Sequence, residues 1–393
     1  MTGARGYWCG RGAVGSRCRA PGAGHEGLAA LAPLLRADDY LFPHYRDRAL
    51  MLARGASTFE IALGFFGRAA SSSGGRQMAS HWSSRAHNVV SLASPVGLQC
   101  LPSAGAAWSC ALNGSGQVAL CLVGEATVRQ GEFYEALCFA LQEKLPLVFV
   151  VEDNGYGIST PTNRFNPFTL GALGEGVLVC GAGRDVTAVA QLGGAAIEAA
   201  RQGAGPTVLW LEMDRLFSHT SSDDHRLYRS PADIAAMQAR DPLLQLRDAL
   251  LEAGELAPEE WEAELAAIAE EVDEDYERAE AAPAPTEAQT HVFAAAPFTP
   301  QRPQLPPRDT WTMLESLNHT LRAALEEDPR VLLFGEDIED PKGGVFGLTK
   351  GLSSAFAGRV RNSPLAARRS NHCRGCGGRG AGGLEAGVRA SVH

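Results

Sequence analysis

Two short runs of Val, Leu and other uncharged residues, Val118–Val123 and Leu147–Val151, end in polar, glycine-containing turns. Runs of that length and composition predict strands buried on both faces of a sheet. The segment between them, 131–144, reads as one helix, so the three pieces form a βαβ crossover. A right-handed crossover makes the strands parallel and sets their carboxyl ends side by side, where open α/β sheets bind ligands. Glu125 follows the first run and Asn154 the second, so both are expected at one pocket edge.

The alternation continues. A strand over Gly176–Cys180, a helix near Val186–Arg201 and a strand over Thr207–Met213 predict an α/β fold, a mostly parallel sheet with helices on both faces. Helices follow at about Pro231–Ala253 and Pro258–Ala281. Pro283, Pro297, Pro300, Pro303, Pro306 and Pro307 then mark a spacer, since a proline-rich stretch joins neither helix nor sheet interiors. A helix over Met313–Leu325 and a strand over Val331–Phe334 predict the start of a second, incomplete α/β domain. The expected divisions are a tail at 1–21, a main domain at 22–282, a linker at 283–308, a second domain at 309–367 and a tail at 368–393.

With 393 residues, the chain is too long for one typical core. Its 45% hydrophobic content argues against general disorder. The net charge of −10 is local: between Glu252 and Glu280, 13 acids face one base, Arg278. Leu256, Trp261, Leu265, Ile268 and Val272 recur there at helical spacing, which predicts a solvated surface helix. The remainder is near neutral, so nothing points to a nucleic-acid-binding face. No run is long and apolar enough to predict a membrane span. Nine cysteines show no disulfide framework, and Cys110, Cys121 and Cys138 read as small core residues. An odd cysteine count without a secretory segment predicts a reducing, cytoplasmic setting. The tails are Arg- and Gly-rich and aperiodic, as translation in a shifted reading frame would be. Cys373 and Cys376 with His372 lack a second ligand pair for zinc.

Magnesium takes hard oxygen ligands, commonly one or two from protein with phosphate oxygens completing an octahedron. A carboxylate and an amide oxygen 29 residues apart on neighbouring strand ends suit such an ion carrying a diphosphate. The bland alternative is a doubly wound sheet whose strand ends happen to be polar. A dinucleotide fold would need a Gly-x-Gly-x-x-Gly turn after the first strand, which is missing.

Gly124-Glu125-Ala126 with Asp153-Asn154 resembles the thiamine diphosphate fingerprint, written in its family as Gly-Asp-Gly, a long spacer, then Asn-Asn. Other landmarks are Gly22–Gly27, Phe42–Arg48, Gly75–His81, Ser94–Gln99, and Ser218–Asp224 with Tyr228 and Arg229. Together they make residues from about Gly22 to Ala366 similar to the decarboxylating dehydrogenase component of 2-oxoacid dehydrogenase complexes. Phe334–Ile338 and Gly343–Phe346 resemble the start of that family's beta subunit.

The resemblance implies thiamine diphosphate and Mg2+ as cofactors, with Glu125, Asn154 and the main-chain carbonyl of Tyr156 on the metal. Gly124, Ala126 and Thr127 would line the cofactor. Tyr45 and Arg46 match a diphosphate-binding pair, the alternative for Arg46 being an ion pair with Asp47 or Asp39. Ser94 and Val96 match positions touching thiamine, Val96 as the apolar wedge between its rings. His219 would be catalytic, near the diphosphate, where an imidazole suits proton traffic. Leu98 replaces a hydroxyl that helps hold potassium in branched-chain relatives, so no potassium site is expected. Thr220 stands where mitochondrial relatives carry a regulated serine, but phosphorylation is not expected.

The implied reaction is oxidative decarboxylation of a 2-oxo acid with acyl transfer to a lipoyl-bearing acyltransferase. Glu125 and Ser222-Asp223-Asp224 resemble branched-chain members, favouring 3-methyl-2-oxobutanoate over pyruvate. An intact relative would self-associate. Ala367 stands where the beta portion supplies a glutamate to the aminopyrimidine, so this chain alone is expected to be inactive. The competing reading is a noncatalytic, truncated cofactor- or partner-binding module.

Overall fold

The computed structural model describes residues 20–81, 83–162, 177–287 and 310–363. The two apolar runs are strands β2 (Ala119–Gly124) and β3 (Leu147–Asp153), beside β1 (Tyr40–Phe42), β4 (Leu178–Ala182) and β5 (Thr207–Glu212). All pair in parallel, in the order β1-β2-β3-β5-β4. Along β2, Cys121 and Val123 point to one face while Leu120 and Leu122 point to the other. Both faces are covered, which is why the run is apolar at every position and not at every second one.

On the first face lie α3 (Cys100–Asn113) and α4 (Gly131–Glu143), packing Phe133 against Phe149 at 5.2 Å between ring centroids. On the second lie a 3-10 segment (Glu26–Leu34), α1 (Arg48–Ala53) and α5 (Val186–Arg201), over Leu41, Val148, Val150 and Leu209. The amino-terminal sheet edge is fastened by Asp39, which is fully buried. It accepts from Val118 N at 2.8 Å and from the Arg201 guanidinium at 3.1 and 2.8 Å. The α/β expectation holds.

The acidic helix α8 (Pro258–Ala281) is solvated on one side only. Val272, Tyr276 and Ala279 pack on Ala62, Leu63 and Phe65 of α2 (Thr58–Phe66). The helix expected over 231–253 is two, α6 (Pro231–Ala239) and α7 (Pro242–Glu252). Pro242 has no N–H and disfavours a helical residue before it, and Asp241 caps α7 by accepting from Leu243 N. Cys110 and Cys121 are buried as expected, but Cys138 is exposed on the outer face of α4.

Residues 310–363 form a smaller unit. Here α9 (Met313–Glu327) and α10 (Leu352–Ala355) flank a parallel pair, β6 (Leu333–Gly335) with β7 (Val360–Asn362). The strand begins two residues later than the expected Val331. Leu321, Leu325, Leu333, Ile338, Leu348, Leu352 and Val360 make its core. Phe334 packs against Trp108 at 5.1 Å, and Arg361 pairs with Glu143 at 2.6 Å, joining the unit to α3 and α4. Most of the proline-rich spacer, Ala367, residues 1–19 and residues 368–393 lie outside the described residues. No helix among the described residues is long and apolar enough to cross a membrane.

Phe149 is fully buried in the centre of the sheet. Phe149→Ala is expected to lower the unfolding free energy by about 3–5 kcal/mol, the range for a buried aromatic truncated in a close-packed core. Urea denaturation measures this, and a loss under about 1 kcal/mol would mean that the layer repacks.

Candidate cofactor site

The carboxyl ends of four strands open into one cavity of about 390 Å³. After β1 come His44, Tyr45 and Arg46; after β2, Gly124 to Thr127; after β3, Asn154, Tyr156, Gly157 and Ile158; after β5, His219 and Thr220. Ser94 and Val96 line it from the loop before α3. Every residue singled out from the sequence (Tyr45, Arg46, Ser94, Val96, Gly124, Glu125, Ala126, Thr127, Asn154, Tyr156 and His219) lines this cavity.

The floor is built by strand register. Gly124 is opposite Glu152, so Glu125 and Asp153 leave the sheet as neighbours. Asp153, which replaces an asparagine of the fingerprint, accepts from Gly155 N and Trp210 Nε1, each at 2.9 Å. Those bonds hold the turn that presents Asn154, where Gly155 takes φ +79°, a conformation natural to glycine. Arg229 stacks on Tyr156 at 4.2 Å and donates to the Asn154 carbonyl at 3.4 Å. At Gly157 a Cβ would lie 2.8 Å from that of Ala126, so these two small residues let the turn close on the strand end.

Glu125 is 2% exposed. Burial and the neighbouring Asp153 carboxylate push it up to about 7. Its Oε1 accepts a long bond, 3.4 Å, from Thr162 Oγ1. Asn154 Oδ1 is buried with no hydrogen-bond partner. A buried carboxyl repelled by an acid and an orphaned amide oxygen are both relieved by a hard cation. The donor set therefore fits magnesium.

Arg46, 2% exposed, donates to Pro21 O at 2.7 Å and to His219 Nδ1 at 2.9 Å. It forms neither of the ion pairs considered from sequence; Asp39 is held by Arg201. A guanidinium only donates, so His219 Nδ1 carries the lone pair and a neutral ring has its proton on Nε2. Burial, then Arg46 and Arg215, push His219 down to about 4. At neutral pH it is thus an N–H donor. Its loop is tied by Asp223, which accepts from His219 N at 2.7 Å and Tyr228 Oη at 2.6 Å. Arg215 donates to Tyr228 Oη at 2.7 Å.

Beneath the cavity is a cluster that the sequence reading missed. Glu152, fully buried, accepts from His25 Nδ1 at 2.7 Å and His44 Nδ1 at 3.1 Å. Burial acts to raise Glu152, but His44 and His25 outweigh it and hold the carboxyl below its usual range. Burial and Glu152 push the adjacent Asp47 carboxyl well up. The signal was available: an acid at the end of an apolar strand needs buried partners, and histidines stood in two quoted landmarks.

Comparison with known proteins bears on this site. Residues 18–288 match the family model described as "Dehydrogenase E1 component". The chain belongs to that family. It is 35% identical over 276 residues to 2-oxoisovalerate dehydrogenase subunit alpha of Bacillus subtilis (strain 168), covering 68% of this chain and 83% of that one. It is 33% identical over 262 residues to the mitochondrial pyruvate dehydrogenase E1 component subunit alpha of Dictyostelium discoideum, covering 65% and 67%. A third relative, 3-methyl-2-oxobutanoate dehydrogenase subunit alpha of Mycobacterium tuberculosis (strain CDC 1551 / Oshkosh), is 30% identical over 241 residues, covering 60% and 62%. The protein is therefore a branched-chain-like member of the thiamine diphosphate-dependent 2-oxoacid dehydrogenase components.

Because His219 is held near 4 when folded and an unfolded histidine titrates near 6.5, its share of stability is complete above about 6.5. It is lost as pH falls toward about 4. His219→Asn is expected to flatten part of the acid limb of a melting-temperature-against-pH curve. An unchanged limb between those pH values would show that the ring is solvated.

Proposed function

We propose that this chain binds thiamine diphosphate through a magnesium ion held by Glu125, Asn154 and the main-chain carbonyl of Tyr156. It would serve as the alpha-type portion of an enzyme that oxidatively decarboxylates a 2-oxo acid and passes the acyl group to a lipoyl-bearing acyltransferase. The observation that carries this reading is the orphaned Oδ1 of Asn154 beside the buried Glu125 in one cavity. When bound, the cofactor supplies a ring that accepts the electrons released with carbon dioxide.

Each residue's task follows from its chemistry. Arg46 donates to diphosphate oxygens, which a planar guanidinium engages in pairs. His219 would donate a hydrogen bond from its Nε2–H to the same anion, and Tyr45 closes the wall beside it. Gly124, Ala126 and Thr127 keep the strand end low so that the diphosphate lies close to the main chain. Val96, 41% exposed, offers an apolar surface to the rings, with Ser94 next to it. Met78 and Ile158 extend this apolar rim, at 51% and 53% exposed. A rim so open suits a wall completed by a beta-type portion, which residues 309–367 would begin.

The favoured substrate is a branched-chain acid such as 3-methyl-2-oxobutanoate. Support comes from Glu125, from the Ser222-Asp223-Asp224 context and from relatives with branched-chain names. A second reading, a noncatalytic cofactor- or partner-binding chain, is favoured by Ala367 at the position of a glutamate in the family. Steady-state decarboxylation by the purified chain with cofactor and Mg2+ separates the two, and we expect no turnover.

Calorimetry with thiamine diphosphate and Mg2+ tests the binding reading. Glu125→Gln and Asn154→Ala are each expected to weaken Mg2+-dependent binding at least as much as losing an outer-shell partner, about 10- to 100-fold. Binding unaffected by either substitution or by chelation of the metal would overturn the assignment.

A further inference from the structure

Two acids stand side by side beneath the cavity floor. Glu152 is next to last in β3 and Asp47 immediately precedes α1; they are 0% and 1% exposed. Asp47 Oδ2 accepts from His44 N at 2.6 Å, and Glu152 Oε2 takes both histidines, His25 at 2.7 Å and His44 at 3.1 Å. The other oxygens, Asp47 Oδ1 and Glu152 Oε1, are buried and receive no donor, and His25 Nε2 is buried without a partner. The two carboxyls lie within hydrogen-bonding reach of each other. A carboxylate only accepts, so such a pair meets only across a proton or a cation. Close by is a third donor atom: a ring nitrogen of His44 and one oxygen from each acid all lie within 4.8 Å of one another.

We propose that His44, Asp47 and Glu152 hold a divalent transition ion, zinc by the chemistry of its donors, at a site separate from the magnesium of the cofactor reading and independent of it. One imidazole nitrogen with two carboxylate oxygens suits zinc, whereas magnesium favours an octahedron of oxygens. Two carboxylates balance the charge of a dication, so the interior gains no net charge. Side-chain rotation closes the 4.8 Å span onto one ion, and a water completes a four-coordinate shell. His25 keeps its bond to Glu152 and orients it, as the outer partners of ligating carboxylates commonly do. The ion ties the end of β3 to the loop after β1 and fixes His44, which also lines the cavity. With its ligands this deeply buried, it is taken up as the chain folds.

Elemental analysis of the full chain, expressed with added Zn2+ and purified in excess Mg2+, tests this. Wild type is expected to retain one zinc per chain, and X-ray absorption should show nitrogen and oxygen neighbours at about 2.0–2.2 Å. Asp47→Asn and Glu152→Gln, which keep the side-chain shapes, should each lower the retained zinc by about tenfold or more. Glu125→Gln, which alters the cofactor site, should leave it in place. No retained zinc, zinc bound through sulfur alone, or zinc lost on Glu125→Gln each overturns the proposal. So does zinc held equally by both acid variants. Should those variants fail to fold, the absorption spectrum of Glu125→Gln decides: a zinc shell that includes an imidazole supports the site, and one without it overturns the site.

Discussion

The arrangement of this protein depends on the register between β2 and β3. Parallel pairing of Gly124 with Glu152 sends the next residues of both strands out of the sheet together. It decides that Glu125 meets Asp153, that Asn154 turns in beside them, and that Glu152 stays behind in the interior. A slip of one residue would reverse which side chains face α3 and α4 and which face α5, exchanging the two apolar faces. Since both faces are buried, such a slip would cost most of the core. Packing of the whole sheet therefore maintains the geometry of the site.

That arrangement concentrates buried charge at one end of the sheet. Glu152, Asp47 and Glu125 are acids with little access to water, and Arg46 and Arg215 are cations in the same condition. Each is made tolerable in a different way. Glu152 Oε2 accepts from two histidines, and burial with Glu152 pushes the Asp47 carboxyl well up. Arg46 is held by a carbonyl and a neutral histidine. Glu125 is repelled by Asp153, and Asn154 Oδ1 has no hydrogen-bond partner. In a folded interior, a polar group left in that condition is costly unless a ligand completes it. What marks the site is that Glu125 and Asn154 line the cavity, where a ligand can reach them, whereas Glu152 and Asp47 lie beneath it.

The loops around the cavity show the same division. Asp223, Tyr228 and Arg215 bind one another and brace the loop of His219. Arg229 and Asp153 brace the turn of Asn154. The residues they support face the open volume. Precise placement of a few donors comes from neighbours that never touch the ligand space, as metal and anion sites commonly require.

Much of this could be read from the chain alone. Unbroken apolar runs separated by helical segments already specify a parallel sheet covered on both faces, because hydrophobic periodicity is a local property. Residues after strand ends could be assigned to one edge on the same grounds, and spacing with chemical type suggested a metal and a diphosphate. Other features depended on contacts distant in sequence. The three residues of β1 are too few to show a period, and their pairing is made by β2. The break at Pro242 was hidden in an otherwise helical composition. The partnership of Glu152 with His25 and His44 spans 127 and 108 residues. The tautomer of His219 depends on the donor that the folded chain brings to its Nδ1. Sequence determined which groups stand at the ends of which strands; only the tertiary structure decided which of them are satisfied, because hydrogen bonding and burial are properties of neighbours in space.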